Sequence, residues 1–187
     1  MYGDDRSFFA EVVVAVLAWS RGSADEPAYS AWLDSPVGNW SVVWTDMGLR
    51  EIHVDKSRKR SREEDDFGEI LPIWLEKAWE VFWEGEKPQV TYVSCRPLPD
   101  FTRRVYEIVA EIPSGEICTY GEIARCAGNP KAARAVGSIM RNNPWALFIP
   151  CHRVLGGDGS LCGYGGPDGV ALKKRLLKYE ARRNKDK

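Results

Sequence analysis

Trp145-Ala146-Leu147-Phe148-Ile149-Pro150-Cys151-His152-Arg153-Val154 is the stretch on which the reading turns. An apolar run leads straight into a thiol and an imidazole. A continuous apolar run of this length reads as a buried strand or core segment. The reactive residues at its end would then leave the core at a fixed place, which is the rigid support a nucleophile needs. A free thiol is a weak nucleophile near neutral pH, because its ordinary pKa is about 8.5 and only the thiolate attacks. A neighbouring base raises the reactive fraction, and histidine is the usual one. Adjacent residues of an extended chain point to opposite faces. Cys151 and His152 therefore cooperate only if the chain turns between them or a water bridges them. Alone, the dipeptide reads as a buried cysteine beside a structural histidine.

Working outward, Asn142-Asn143-Pro144 precedes the run, and Gly156-Gly157-Asp158-Gly159 and Gly163-Tyr164-Gly165-Gly166 follow it. Further upstream, Thr119 followed three residues later by Glu122 is a capping box, so a helix is expected to start at Tyr120 and stop before Gly128. Asn129-Pro130 then reads as an N-cap with proline at the first helical position, giving a helix over 131–140. Two short helices joined by a glycine-containing turn suggest a helix-turn-helix. The second carries small residues (Ala132, Ala133, Ala135, Gly137, Ser138) among Lys131, Arg134 and Arg141. Small side chains permit close backbone approach, either to another helix or to DNA. A helix is expected over 101–112 and a last one from about residue 170. On that last helix Leu172, Leu176 and Glu180 follow one stripe. A carboxylate on a buried stripe needs a partner; one on a frayed last turn does not.

The N-terminal half reads differently. Strands are expected at 12–17, 29–33, 40–44, 49–54 and 90–93, with turns at 35–39 and 46–48. Residues 56–66 are a charge run, read as a solvated loop. A well-buried helix is expected over 70–83, with Trp74, Trp79 and Trp83 as core rather than a base-stacking platform. The expected fold is thus an α/β N-terminal domain over 1–97, a small antiparallel sheet with a helix. A mostly α-helical C-terminal domain follows over 98–187, with the helix-turn-helix and the cysteine.

The 187 residues, 44% hydrophobic and 28% charged, suit a soluble globular chain of one or two domains. The net charge of −1 argues against a nucleic-acid partner until the chain is split. Residues 101–187 carry 15 Lys+Arg and 8 Asp+Glu, a net of +7, and the first hundred residues carry −8. Such asymmetry points to a polyanion-binding half. The C-terminal cluster of Arg182, Arg183, Lys185 and Lys187 accounts for part of it, but Arg103, Arg104, Arg125, Lys131, Arg134, Arg141 and Arg153 remain. The five cysteines (Cys95, Cys118, Cys126, Cys151, Cys162) are odd in number and form no C-x-x-C pair. No disulfide framework is expected, and a reducing, cytoplasmic setting is. With His53 and His152 as the only histidines, neither a metal site nor a cofactor is expected. The apolar 12–19 segment is too short to span a bilayer and lacks a basic leader, so no membrane or signal role is expected.

Pro150-Cys151-His152-Arg153-Val154, Thr119-Tyr120-Gly121, Ala133-Arg134-Ala135-Val136-Gly137, Asn143-Pro144 and Gly163-Tyr164 occur in one order. Together they resemble the O6-alkylguanine-DNA alkyltransferase family of direct-reversal DNA repair proteins. The resemblance is strong over 101–180, faint over 32–48 and absent before about residue 28. It implies an irreversible, single-turnover transfer of the alkyl group from O6-alkylguanine, and from O4-alkylthymine, in double-stranded DNA to Cys151. It implies His152 as base, acting through a water, with Glu180 bonded to it, and Asn143 tying the active-site turn. Tyr120 would donate to guanine N3, and the carbonyls of Cys151 and Val154 would read the exocyclic amine. Tyr164, Gly165, Gly166 and Pro150 would line the pocket, and the two small glycines leave room for groups larger than methyl. The second helix would enter the minor groove of DNA, with Arg134 filling the gap left by the extruded nucleotide and Thr119, Lys131, Ala132, Ala133 and Arg141 along the same interface. A monomer is implied. The extra Pro167-Asp168 after the glycines departs from the family pattern, and an altered pocket wall is the expected consequence. Two other readings stay open: a lesion-binding module that flags alkylated guanine without transfer, and a thiol hydrolase that turns over.

Overall fold

Strands β2 (Tyr29–Ser35), β3 (Gly38–Thr45) and β4 (Gly48–Val54) form an antiparallel meander, and their side chains show why. Along β3, Trp40, Val42 and Trp44 are buried, the period-two pattern of a strand with one face on the core. In this computed structural model residues 17–23, 25–54, 71–94, 96–164 and 169–185 are described. The turn into β4 requires Gly48: its φ is 133°, and a Cβ there would lie 2.3 Å from the Thr91 carbonyl oxygen. The expected strand at 12–17, apart from the buried Leu17, and the charge run at 56–66 lie outside the described residues, as do Gly165, Gly166 and the Pro167-Asp168 insertion.

The sheet is mixed, not antiparallel as expected. Its order is β1-β5-β4-β3-β2, with β5 (Thr91–Ser94) parallel to β4 and β1 (Ala18–Arg21) parallel to β5. The reason lies in the connection. Helix α1 (Ile73–Glu84) separates β4 from β5 in the chain, and a helical crossover returns the chain parallel to the strand it left. Helix α1 buries Leu75, Ala78 and Phe82, packs its three tryptophans partly against the core, and stops at Gly85 with φ 95°.

The C-terminal half begins with α2 (Asp100–Ala110), which buries Val105, Tyr106, Ile108 and Val109. A two-stranded parallel ladder pairs β6 (Cys118–Thr119) with β7 (Val154–Leu155). It fixes the start of α3 (Tyr120–Cys126) beside the residues that follow Cys151. The capping box forms as expected: Thr119 Oγ1 accepts from the Glu122 N–H at 3.2 Å, and Glu122 Oε2 accepts from the Thr119 N–H at 2.8 Å.

Helix α4 (Ala133–Arg141) starts later than expected. Asn129 is not its N-cap. The N–H of Gly128 donates to Arg125 O and that of Asn129 to Ala124 O, at 3.0 and 2.9 Å, the paired bonds that close a helix C-terminus through a left-handed glycine. Asn129 thus ends α3, and Pro130 and Lys131 lie in the turn that follows. Helix α5 (Gly169–Arg183) closes the chain. Gly169 packs so tightly on the Tyr164 carbonyl that a Cβ would sit 1.0 Å from its oxygen.

The 145–149 run is buried but is not a strand. Trp145 makes one isolated bridge to Ile52; the Phe148 N–H then bonds Ala146 O and the Ile149 N–H bonds Trp145 O, with Leu147 at φ 70°. A run of apolar residues with no alternation carries no period, so the sequence could not separate strand from buried turn. The Trp145 ring meets those of Trp19, Tyr92 and Tyr106 at centroid distances of 5.2, 5.6 and 5.3 Å, which joins sheet and helices in one continuous core. Among the described residues no helix is long and apolar enough to cross a membrane.

Candidate active site

Cys151, His152 and Arg153 form one turn of 3-10 helix, so the chain does turn between thiol and imidazole. Asn143 holds the turn from below. Its Nδ2 donates to Ile149 O at 2.9 Å and to Cys151 Sγ at 3.3 Å, while its Oδ1 accepts from the Trp145 N–H at 3.0 Å. One side chain thereby fixes both the backbone entering the turn and the sulfur itself.

Glu180 holds the turn from α5. Its Oε1 lies 2.9 Å from His152 Nε2 and 2.7 Å from an Arg153 terminal nitrogen, and Arg153 Nε is 3.2 Å from both carboxylate oxygens. The Gly115 N–H adds a bond at 3.2 Å, and Arg153 also donates to Ile112 O. All three side chains are buried. The stripe through Leu172, Leu176 and Glu180 is therefore a buried one, and the carboxylate has its partners.

The electrostatics follow from this packing. Burial would raise the Glu180 pKa, but His152 and Arg153 together hold it well below the usual carboxylate range, so it is ionised. Burial lowers the pKa of His152 despite the pull of Glu180, because the Arg153 guanidinium already balances that carboxylate. The ring is thus neutral. A carboxylate only accepts, so its proton is assigned to Nε2 and Nδ1 carries the lone pair. Nδ1 makes no hydrogen bond to any described residue and is available as a base. Burial pushes the Cys151 thiol above its ordinary range, opposed by the Asn143 hydrogen bond and by Lys173. At rest the centre is a neutral thiol beside a neutral imidazole.

Cys151 forms part of the wall of a cavity of about 340 Å³ shared with Asn143, Met140, Arg141 and Tyr164. Strand β4 contributes Glu51 and His53, paired at 2.9 Å, to the same cavity. Sequence reasoning did not single out either residue as a site residue, since neither belongs to a motif. Pro150, expected in this pocket, faces the other side of the turn, where it lines a cavity with Arg153, Ile112 and Phe148. Its backbone direction is set by the 3-10 turn that it precedes. Tyr120 stands at the start of α3, its phenol pushed up to about 12 by burial and then by Cys162 and Cys151. Tyr164 packs edge-on to His152 with ring centroids 6.2 Å apart. Val154 is buried directly after the turn.

Lys131, Arg134 and Arg141 are exposed on or beside α4, with Ala132 and Ala133 half-buried between them. Thr119 spends its hydroxyl on the capping box and shapes the start of α3. Arg153 needs correction: its charge was counted toward a polyanion surface, yet it is 6% exposed and locked to Glu180. Lys173 was missed. It is fully buried and donates to Val154 O. A signal existed, since Lys173 is seven residues before Glu180 and so shares its face of α5.

A buried cysteine thus shares one turn with a histidine–glutamate pair, near two short helices that carry exposed arginines, an arrangement of the kind that a nucleophilic thiol needs. The comparisons identify its kind. Residues 100–182 match the family described as 6-O-methylguanine DNA methyltransferase, DNA binding domain. A methylated-DNA–protein-cysteine methyltransferase of Methanosarcina acetivorans is 36% identical over 81% of this chain and 97% of its own length. One of Mycolicibacterium paratuberculosis is 49% identical over 80% of this chain and 90% of its own. The crystal structure of Mycobacterium tuberculosis OGT in complex with DNA superposes with a TM-score of 0.64 at 34% identity, covering 81% of this chain and 92% of that one. The chain belongs to the methylated-DNA–protein-cysteine methyltransferase family.

Proposed function

We propose that this protein repairs O6-alkylguanine in double-stranded DNA by moving the alkyl group irreversibly to Cys151, once per molecule. His152 Nδ1 takes the thiol proton, directly or through a water, and Glu180 orients the ring and stabilises the resulting imidazolium. Sulfur attacks the alkyl carbon in line, a C–S bond forms, and the C–O6 bond breaks with its electron pair passing to O6. Tyr120 supplies a proton at N3 to the leaving guanine; solvent restores Tyr120 and removes the proton from His152, so the count closes. The carbonyls of Cys151 and Val154 read the exocyclic amine, and Tyr164 with Gly165 and Gly166 closes the pocket. O4-alkylthymine is a second substrate of the same reaction.

The observation that carries this reading is the pair of buried hydrogen-bond sets that hold one turn, Asn143 on the Cys151 sulfur and Glu180 on His152 and Arg153, in a chain of this family. Helices α3 and α4 serve as a helix-turn-helix, with α4 in the minor groove, Arg134 in place of the extruded nucleotide, and Lys131 and Arg141 on phosphates. Residues 1–97 act as scaffold and 98–187 as the DNA-binding and transfer domain. The protein acts as a monomer in the cytoplasm. The test is intact-protein mass spectrometry after mixing with a duplex containing O6-methylguanine. One added methyl per molecule, mapped to Cys151 and absent in Cys151→Ala, is expected. Tight lesion-selective binding with unchanged mass would make the protein a sensor instead.

A further inference from the structure

The junction of β1, β5 and α2 gathers arginines from three separate parts of the chain. Arg21 closes β1, Arg96 follows β5, and Arg103 stands near the start of α2. Together they line a cavity of about 300 Å³. No described residue in its wall is acidic, and among the described residues no carboxylate lies within ion-pair distance of any of the three. Yet Arg21 and Arg96 belong to the acidic first hundred residues, whose net charge is −8. Like charges gathered without a counter-charge repel one another, so their convergence points to an anion. The backbone beneath them is ordered. Arg21 pairs with Ser94 in the parallel ladder, the Gly22 N–H donates to Ser94 O at 3.2 Å, and Ser94 Oγ donates to Arg96 O at 2.7 Å. The Arg103 N–H donates to Pro99 O at 2.9 Å. A second observation points the same way. Trp19 lines this cavity, and its buried Nε1 makes no hydrogen bond to any described residue. An indole N–H only donates, and a buried donor needs an acceptor. The ring is held by Tyr92 and Trp145 at centroid distances of 5.4 and 5.2 Å, so the donor is fixed in place.

We infer that this cavity is a phosphate-binding site, with the guanidinium groups of Arg21, Arg96 and Arg103 on the phosphate oxygens and Trp19 Nε1 as a further donor. A guanidinium presents a planar fork of N–H groups that matches phosphate oxygens in pairs. A carboxylate has two oxygens and one charge, too few for three forks and an indole. A diphosphate, or consecutive diesters of a nucleic-acid backbone, offers more oxygens and more than one charge. Both sources present the same chemistry to the site. The cavity shares no wall residue with the one beside Cys151, so it stands apart from the lesion pocket and does not depend on the repair reading. If the source is DNA, the N-terminal half adds a backbone contact that its overall negative charge conceals.

The test is calorimetric titration of the full chain with pyrophosphate at low salt, beside a variant combining Arg21→Gln, Arg96→Gln and Arg103→Gln. Saturable binding of one pyrophosphate per chain is expected, weakened at least about tenfold in the variant. Pyrophosphate that does not bind, or that binds both proteins alike, overturns the proposal. The two sources are told apart with an undamaged duplex, by the slope of log affinity against log salt. A slope reduced in the variant by about one for each arginine lost assigns the site to the nucleic-acid backbone. An unchanged slope, with pyrophosphate binding lost, assigns it to a free phosphate compound. The three side chains are exposed, so the variant should keep its unfolding midpoint. If it does not fold, the unmodified protein still decides. The ¹⁵N-indole signal of Trp19 is expected to move on titration with pyrophosphate, and a signal that stays in place overturns the proposal. Pyrophosphate and an undamaged duplex involve no alkyl transfer. A wild-type protein that takes no methyl from the lesion duplex would therefore sink the repair reading and leave this one to its own result.

Discussion

Glu180 and His152 stand 28 residues apart in the chain and meet at 2.9 Å, both of them buried. The carboxylate is shared with Arg153, so one buried anion serves an imidazole and a guanidinium together. Removing one partner of a buried ionic set leaves an uncompensated charge, at a cost of about 3–5 kcal/mol. Glu180→Gln is expected to lower unfolding stability by that order in urea titrations at neutral pH. The sign of its pH dependence is fixed. Glu180's folded pKa is depressed, so its contribution is fully present above the ordinary value of 4.5 and fades as pH falls below it. The gap between wild type and variant should narrow on acidification; a gap that widens would contradict an ionised Glu180.

Asn143 touches sulfur and backbone at once. Asn143→Ala leaves Ile149 O and the Trp145 N–H without this partner in a buried place, which costs about 1–3 kcal/mol. The expected result is a lowered thermal midpoint together with slower methyl transfer. Asn143→Asp keeps an acceptor for Trp145 but places an anion on the thiol, so its Cys151 should require higher pH to react.

Burial holds the Cys151 thiol above its ordinary pKa. In the folded protein its reaction with iodoacetamide should therefore reach half-maximum at higher pH than in the urea-unfolded chain. The opposite order would mean that a free thiolate stands ready at rest, and the proton transfer to His152 would be unnecessary.

Arg134 is exposed on α4 and takes no part in the hydrogen bonds that hold the cysteine turn. Arg134→Ala should leave the iodoacetamide profile of Cys151 and the unfolding midpoint near wild type. Methyl transfer from duplex DNA should fall about tenfold or more, with a smaller loss on a free O6-alkylated base. Equal losses on both substrates would remove Arg134 from the DNA step.

Thr119 caps α3 through its hydroxyl. Thr119→Ala is expected to cost about 1 kcal/mol of stability, and Thr119→Ser to restore most of it. A loss confined to DNA affinity, with stability unchanged, would mean that the hydroxyl faces the nucleic acid instead.

By itself the sequence determined what local chemistry can encode. The capping box at Thr119 and Glu122 is a contact between residues three apart, and the stop at Gly85 is a property of one backbone. The period-two burial of Trp40, Val42 and Trp44 follows from strand geometry alone. The motif around Cys151, in order with its companions, was enough to indicate the family. Tertiary structure decided whatever depends on what lies across the core. The parallel pairing of β4 with β5 needed the crossover through α1, and the 145–149 run lacked any period to distinguish a turn from a strand. Asn129-Pro130 carried a valid local signal for a helix start, yet its backbone donor was taken by the end of α3. Arg153 and Lys173 look like any surface cation in composition. Their burial follows only from Glu180 and Val154 being brought to them by the packing of α5 on the cysteine turn, and a charge is inside or outside according to its neighbours in space, which the chain alone does not state.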